Sequence, residues 1–255
     1  MGNILALSKE KKMIKNTFFN VSAFLLTLGL ALPAMPLYAQ EPTTAQGYAD
    51  RADSYYDQRN WDRAIADASN AIRLDRNYVM AYVIRGDAYF EKGDYDRAIV
   101  DFTETIRLAP IAASYGRRGT AYFFKEDYDL AIADLTQALR LEPSVHGYLL
   151  RGEAYHSKRD YDRAFADYNQ AIRLDPNNMN AFFKRGIVYR NMADYDRSIT
   201  DFSHVLRFYP NDADAYYQRG LSYLLKGEFD RAISDFESAL RINPNHPDAK
   251  KALGR

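Results

Sequence analysis

Four histidines, no cysteine and a large stock of carboxylates are the raw material for chemistry in this chain of 255 residues. His146 and His156 stand ten residues apart in one stretch of helical pattern. At roughly 1.5 Å of rise per residue that is about 15 Å along the axis, too far to share a metal. No His-Glu-x-x-His, Gly-x-Ser-x-Gly or phosphate-loop pattern occurs. The absence of Cys excludes disulfides, thiol catalysis and Cys-based zinc sites. Paired carboxylates such as Asp94 and Asp96 would suit acid–base work. They recur, however, where helical stretches begin, and there capping and the helix dipole account for them. Gly93-Asp94-Tyr95-Asp96 lacks the ligand spacing and closing Glu of a calcium loop. No catalysis, metal or cofactor is expected.

Two charged columns remain. Arg51, Arg85, Arg118, Arg151, Arg185 and Arg219 recur in one register, and Asp67, Asp101, Asp134, Asp167, Asp201 and Asp235 in another. A ladder of charges could grip a ligand. The same ladder could be bidentate pairing between neighbouring helices. A feature copied into every unit serves the stack, so pairing is the favoured reading.

The elements that must position these charges are internal repeats. The small residue after each Arg falls at Ala52, Gly86, Gly119, Gly152, Gly186 and Gly220, in steps of 34, 33, 33, 34 and 34 residues. Three residues on comes Tyr55, Tyr89, Tyr122, Tyr155, Tyr189 or Tyr223; then an aromatic, from Trp61 to Phe229; then a small residue, from Ala64 to Ala232. Pro110, Pro143, Pro176, Pro210 and Pro244 close five of the six units. In Ala81–Pro110 the residues Tyr82, Arg85, Gly86 and Tyr89 share one helical face, as do Tyr95, Ala98, Ile99, Phe102 and Ile106. Gly86 and Ala98 permit close helix approach, Asp94 is a suitable N-cap, and Pro110 cannot continue a helix. One such pair cannot bury its apolar face alone, so neighbours must stack. Unit one is the most degenerate, with Ala68 where the others carry Phe, Leu or Tyr, as suits an end unit.

Period and residue types together resemble the tetratricopeptide repeat family over residues 45–246. The steady departure is Arg before the Gly, where many members carry a large apolar residue. The resemblance implies an all-α, right-handed α-solenoid of six helix-turn-helix units, 45–78, 79–111, 112–144, 145–178, 179–212 and 213–246, with 247–255 as a capping helix. It also implies a concave groove lined by the first helix of each unit, holding a protein or peptide partner. The groove positions are Asp53, Tyr56 and Asp57 in unit one, Asp87, Phe90 and Glu91 in unit two, and Phe123 and Phe124 in unit three. Glu153 and His156 follow in unit four, Phe183, Ile187 and Arg190 in unit five, and Tyr217, Leu221 and Leu224 in unit six. Ala49 and Leu149 belong to the same register. The expected groove is acidic and aromatic at its start and largely apolar at its end. It suits a segment with a basic and an apolar portion, unless the apolar end covers the protein's own tail. The Lys and Asn pattern of the subtype that binds C-terminal carboxylates is missing, with Asp53, Asp87 and Glu153 in the matching places. The alternative is a glycan or lipid ligand stacked on Tyr56, Phe90, Phe123 and Phe124.

Residues 1–39 differ in composition: four Lys, then an apolar run ending at Leu32, Pro33 and Pro36, and Ala39. This is the make-up of a secretory signal peptide cut after Ala39, with Met13 as an alternative start. A retained membrane anchor is the rival, although the run falls short of the roughly 20 apolar residues that a spanning helix needs. The expected location is periplasmic or secreted in a bacterium, or anchored at the inner membrane facing the periplasm. Residues 40–44 are a linker. Without 1–39 the chain holds 30 basic and 33 acidic residues, with signs mixed in every unit, so no nucleic acid is expected as partner. The brief tail Pro247–Arg255 leaves part of the last unit uncovered, which gives room for a homodimer contact there.

Overall fold

A computed structural model describes residues 41–254. The expected leader and its cleavage site lie outside the described residues. Within them the chain is all-α, thirteen helices with no strand, packed in consecutive pairs as an α-solenoid. Unit one pairs α1 (Ala45–Asp57) with α2 (Trp61–Leu74), and unit two pairs α3 (Val79–Glu91) with α4 (Tyr95–Leu108). Units three and four pair α5 (Ala112–Phe124) with α6 (Tyr128–Leu141), and α7 (Val145–Ser157) with α8 (Tyr161–Leu174). Units five and six pair α9 (Met179–Asn191) with α10 (Tyr195–Phe208), and α11 (Ala213–Lys226) with α12 (Phe229–Ile242). A six-residue α13 (Pro247–Ala252) closes the tail, shorter than the 247–255 expected.

Each pair is joined by a tight left-handed turn. Arg59, Gly93, Glu126, Arg159, Ala193 and Gly227 take positive φ, and only two of these six are glycine. The next amide reaches back to the tyrosine carbonyl, as in Asp94 N–H to Tyr89 O at 2.9 Å and Asp160 N–H to Tyr155 O at 2.8 Å, closing a Schellman-type end. Asp94, Asp160 and Asp194 then cap the second helix by accepting from the amides of Arg97, Arg163 and Arg197. Those arginines lie over Tyr89, Tyr155 and Tyr189, 4.4–5.0 Å from the ring centroids. The recurrent Asp-Tyr-Asp-Arg is therefore a cap, a wedge and a lid for the tyrosine of the preceding helix.

The core of each unit is a steric key. A Cβ placed on Gly86 would stand 2.6 Å from Phe102 Cε1; on Gly152, 2.6 Å from Tyr168 Cε1; on Gly220, 2.7 Å from Phe236 Cε1. In these units the glycine is thus the seat of the ring from the second helix, and in unit three Gly119 seats Leu135 in the same way. Unit one reverses the arrangement: Ala52 replaces the glycine and Ala68 replaces the ring, both fully buried. Ala68 is the matched half of a compensated pair rather than decay at an end.

The charged columns pair inside each unit. Arg118 Nε donates to Asp134 Oδ2 at 2.7 Å and Nη2 to Oδ1 at 2.9 Å. The same two-bond fork joins Arg51 to Asp67, Arg85 to Asp101, Arg151 to Asp167, Arg185 to Asp201 and Arg219 to Asp235. The ladder is structural, as the repetition implied. A third bond was not expected. Nη1 of Arg85, Arg118, Arg151, Arg185 and Arg219 donates back to Ser69, Thr103, Thr136, Asn169 and Ser203 on the second helix of the preceding unit. Each of these arginines ties three helices together. Burial raises the carboxyls of Asp101, Asp167 and Asp201, and the guanidinium fork opposes it.

Asp134→Asn removes the charge and half of the fork while Arg118 stays half-buried. The expected loss is about 2 kcal/mol, below the roughly 3–5 of a fully buried pair because the guanidinium keeps some solvent. Chemical denaturation reads it, and an unchanged midpoint would contradict the pairing. Gly86→Ala should cost about 1–3 kcal/mol by overpacking. Combined with Phe102→Ala, which reproduces the arrangement of unit one, it should cost clearly less than the two single changes added together.

Candidate functional site

The first helices touch one another directly, and their contacts define the candidate face. Asp87 on α3 accepts from Arg117 Nε on α5, at 3.2 and 3.3 Å to its two oxygens. Lys184 on α9 pairs with Glu153 on α7. The Asn191 carboxamide N–H donates to His156 Nε2 at 2.9 Å. Arg190 on α9 donates through Nη1 to Gln218 Oε1 on α11. Phe124 lies against Phe90, ring centroids 5.2 Å apart and edge to face. A row of residues on α3, α5, α7, α9 and α11 thus meets across successive units, and of the expected positions Asp87, Phe90, Phe124, Glu153, His156 and Arg190 take part in these contacts.

Not every position does what the sequence implied. Ala49 and Leu149 are buried within the stack and line nothing. Asp87 and Glu153 are each engaged by a cation of the next unit, so the acidic character expected of unit two is partly cancelled. The other acidic side chains at the expected positions of units one and two are Asp53 and Glu91, half-buried, and Asp57, exposed. The aromatics pack among themselves. Phe90 meets Tyr95 at 5.3 Å, Tyr95 meets Phe124 at 5.9 Å, and Phe123 meets both Phe124 and Tyr128 at 5.7 Å. Phe123 also packs on the Leu135–Leu150 core. Phe90 and Phe123 meet Phe124 edge to face, whereas Tyr95 stacks on it at an interplanar angle of 27°, so each of these rings is engaged by a neighbouring ring. Gly116 is different: a Cβ there would meet nothing within 4 Å, so the face has open space over the middle of α5.

At the far end, Phe183 leans on Phe202 at 5.4 Å, while Ile187 and Leu221 stay half-buried. Tyr217 lies between Phe236, at 5.8 Å, and His246 of the tail, at 5.0 Å. Part of the apolar end is therefore covered by the chain's own tail. His246 is buried, and its Nδ1 accepts from the Ala249 amide at 3.3 Å, capping α13. Its Nε2 stands 3.2 Å from Asp214 on α11. The tail covers only one end of the last unit. Leu224, Leu225, Phe229 and Ile233 are 40, 54, 62 and 47% exposed where a further unit would stack.

The electrostatics of the face follow from burial. Tyr56 is pushed far above an ordinary phenol, first by burial, then by the carboxylates of Asp87 and Glu91. Asp87 is raised by burial, with Arg117 opposing. His156 is lowered, by burial first and then by the charge of Lys184, so it stays neutral at neutral pH. Among the described residues no group of three or more His, Asp or Glu could hold a metal ion.

A carboxyl whose folded pKa is raised adds stability below its unfolded value and loses it as pH climbs through the folded one. Asp87→Asn removes that burial penalty but also leaves Arg117 without its carboxylate, so at pH 7 it should lower the melting temperature by less than Asp134→Asn does. The difference from the parent should close by about pH 3.5, below the ordinary carboxylate range, where both side chains are neutral. Parallel melts at the two pH values check this, and a loss at pH 7 as large as that of Asp134→Asn would contradict it.

Comparison with known families and structures adds the following. Tetratricopeptide repeat models match residues 49–112, 112–145, 152–192, 180–212 and 213–246. No curated protein matches. Among solved structures the chain is similar to MamA protein, at 27% identity and a TM-score of 0.61, over 69% of this chain and 94% of that one. It is similar to YrrB, described as a TPR protein with an unusual peptide-binding site, at 23% identity and a TM-score of 0.64, over 74% and 98%. It is also similar to the C-terminal part of a TPR repeat-containing protein from Cytophaga hutchinsonii, at 20% identity and a TM-score of 0.70, over 80% and 83%.

Proposed function

Since the chain belongs to the tetratricopeptide repeat family, we propose that it is a non-catalytic interaction scaffold of the bacterial cell envelope. The face of the first helices holds an extended peptide or a helix of a partner protein. One observation carries this reading. First-helix residues that differ from unit to unit, from Asp87 to Arg190, lie on that face, whereas the Arg–Asp fork recurs in all six units and the glycine seat in five. A surface released from structural duty in each unit is where recognition is built. Leaving aside the arginines that pair inward, α1 carries three acidic residues and no basic one, α3 two acidic and no basic one, and α9 two basic and no acidic one. The start of the face therefore suits a basic portion of the partner. Edge-on packing of Phe90, Phe123 and Phe124 favours a peptide over a glycan. The leader composition supports export, and the exposed Leu224–Ile233 patch supports self-association through the last unit.

The experiment is crosslinking in fractionated bacterial cells that express the full chain, with mass spectrometry of the products. The expected result is a protein whose N-terminus is Gln40, recovered outside the cytoplasm and crosslinked along α1 and α3 to one discrete partner. Asp53→Lys with Glu91→Lys should reduce that capture at least about tenfold, as charge reversal at a complementary surface does. Unchanged capture by the double variant would overturn the acidic recognition, and an intact leader in the inner-membrane fraction would replace export by anchoring. Crosslinks between two copies at Lys226 would establish the homodimer.

A further inference from the structure

The last unit keeps, on its outer side, the residues by which the earlier units hold their successors. At the start of the second helix an aromatic residue and, four residues on, Ile or Phe are half-buried in units one to five. The next unit's first helix covers them: Phe124 stacks on Tyr95 at 5.9 Å, and Tyr189 meets Phe165 at 5.3 Å. In unit six the same two places, Phe229 and Ile233, are exposed, as are Leu224 and Leu225 beside them. Helix α13 does not reach them. It has six residues where α5 and α9 have thirteen, and lacks the turns from which Phe124 and Tyr189 make their contacts. The polar part of the junction is kept as well. Asp62, Asp96, Asp129 and Asp196 each pair with a lysine of the following unit. Asp230 stands in that place in unit six, and no ion pair engages it among the described residues.

The other end of the stack is finished differently. On α1 the places of the buried Ile84 and Ala88 of unit two are held by Asp50 and Ser54. No large apolar side chain of α1 is exposed. That is the polar outer face that an end repeat needs for solubility. A stack with one polar and one apolar end gains little from head-to-tail contact. Such a contact would press the Asp50 carboxylate onto Phe229 and Ile233 and strip it of water. Contact between two apolar ends buries like on like. The charges agree with this. Lys251, in the last turn of α13, is exposed and joins no carboxylate among the described residues. The apolar end thus carries one open cation and one open carboxylate, Asp230, and can answer itself.

We propose that two copies of the chain join through the outer side of unit six about a two-fold axis, as a closed dimer. This rests on the self-association read from the last unit, not on the groove, and it fixes the geometry of that association. Leu224, Leu225, Phe229 and Ile233 of one copy pack on the same four residues of the other, and Asp230 meets the second copy's Lys251. A two-fold contact uses one patch on both partners and closes on itself, whereas a head-to-tail contact that does not close runs on into a fibre. Helix α13 stays in place at the rim. The dimer presents the first-helix face twice, so a partner with two binding segments is held more tightly than by one copy.

The test purifies the protein from bacterial cells that express the full chain and follows its mass by sedimentation over a range of concentrations. The expected result is a monomer–dimer equilibrium with no larger species. Leu225→Gln with Phe229→Gln should raise the dissociation constant at least about a hundredfold, the effect of two apolar side chains that no longer gain from burial. Both side chains are exposed in a single copy, so the dissociated variant should melt no lower than the dissociated parent. The chain has no cysteine, so introduced ones report contacts without background. Of Leu225→Cys, Phe229→Cys and Ile233→Cys, at least one should form a disulfide with its own counterpart, because a two-fold contact brings residues near the axis to themselves. Asp50→Cys should not. A mass that grows beyond the dimer, with none of the three cysteines self-linked, would replace the closed dimer by an open chain and leave self-association standing. A monomer at every concentration would overturn both and leave the groove untouched. Introduced cysteines shielded from alkylation in a monomer would mean that another part of the chain covers the patch, and a double variant that melts several degrees low would make the two side chains structural; either result overturns the dimer.

Discussion

A guanidinium fork closed on a carboxylate is the constraint on which this solenoid turns. In each unit an arginine of the first helix faces an aspartate sixteen residues on, in the second helix, through two near-parallel bonds. Two parallel bonds admit one orientation, so the pair fixes both the rotation and the rise of one helix against the other. The third bond reaches the second helix of the preceding unit and carries the same geometry across the junction. Desolvation offsets much of the Coulomb gain of a buried pair, so its contribution is greater to register than to net stability. Stability comes from the rings of Phe102, Tyr168, Phe202 and Phe236, all almost fully buried against the glycine-bearing helices.

These two devices explain why so much was legible in the sequence. Period, helix pairs, caps and the Arg–Asp partners are local or nearly so, and residue type with spacing specifies them. What escaped depended on contact between units. The third arginine bond has a sequence trace, the polar residue two places after each Asp: Ser69, Thr103, Thr136, Asn169 and Ser203. The trace carries meaning only once it is known that the next unit's arginine lies over that turn. Glu237 fills the place in the last unit, which has no following arginine. The left-handed turn was hidden for another reason. Gly93 and Gly227 mark it in two units, but Arg59, Glu126, Arg159 and Ala193 occupy it in the others, so residue type did not betray the conformation. Ala68 looked like decay on its own and makes sense only beside Ala52.

The candidate site was legible as positions and much less so as properties. The family resemblance, carried along the repeat register, placed Asp87, Glu153, Arg190 and Phe124 on one face. Whether a charge there remains available to a ligand depends on the neighbour one unit away, and Arg117 and Lys184 supply neighbours that no single repeat contains. Likewise the aromatic residues read as a stacking platform until their mutual edge-on packing is seen.

In a repeat protein, structure is what repeats and recognition is what departs from the repeat. Arg117 and Lys184 depart by introducing a cation beside the column arginine, and each is matched by a carboxylate of the unit before. Arg190 departs at a position held elsewhere by Tyr56, Phe90, Phe123, His156 and Leu224, and no carboxylate answers it among the described residues. The two ends of the face consequently differ in sign. A segment laid along it with charges in the complementary order is attracted at both ends, and the same segment reversed is repelled at both. For the partner segment proposed above, the asymmetry would bear on the direction of the bound chain as well as on its composition.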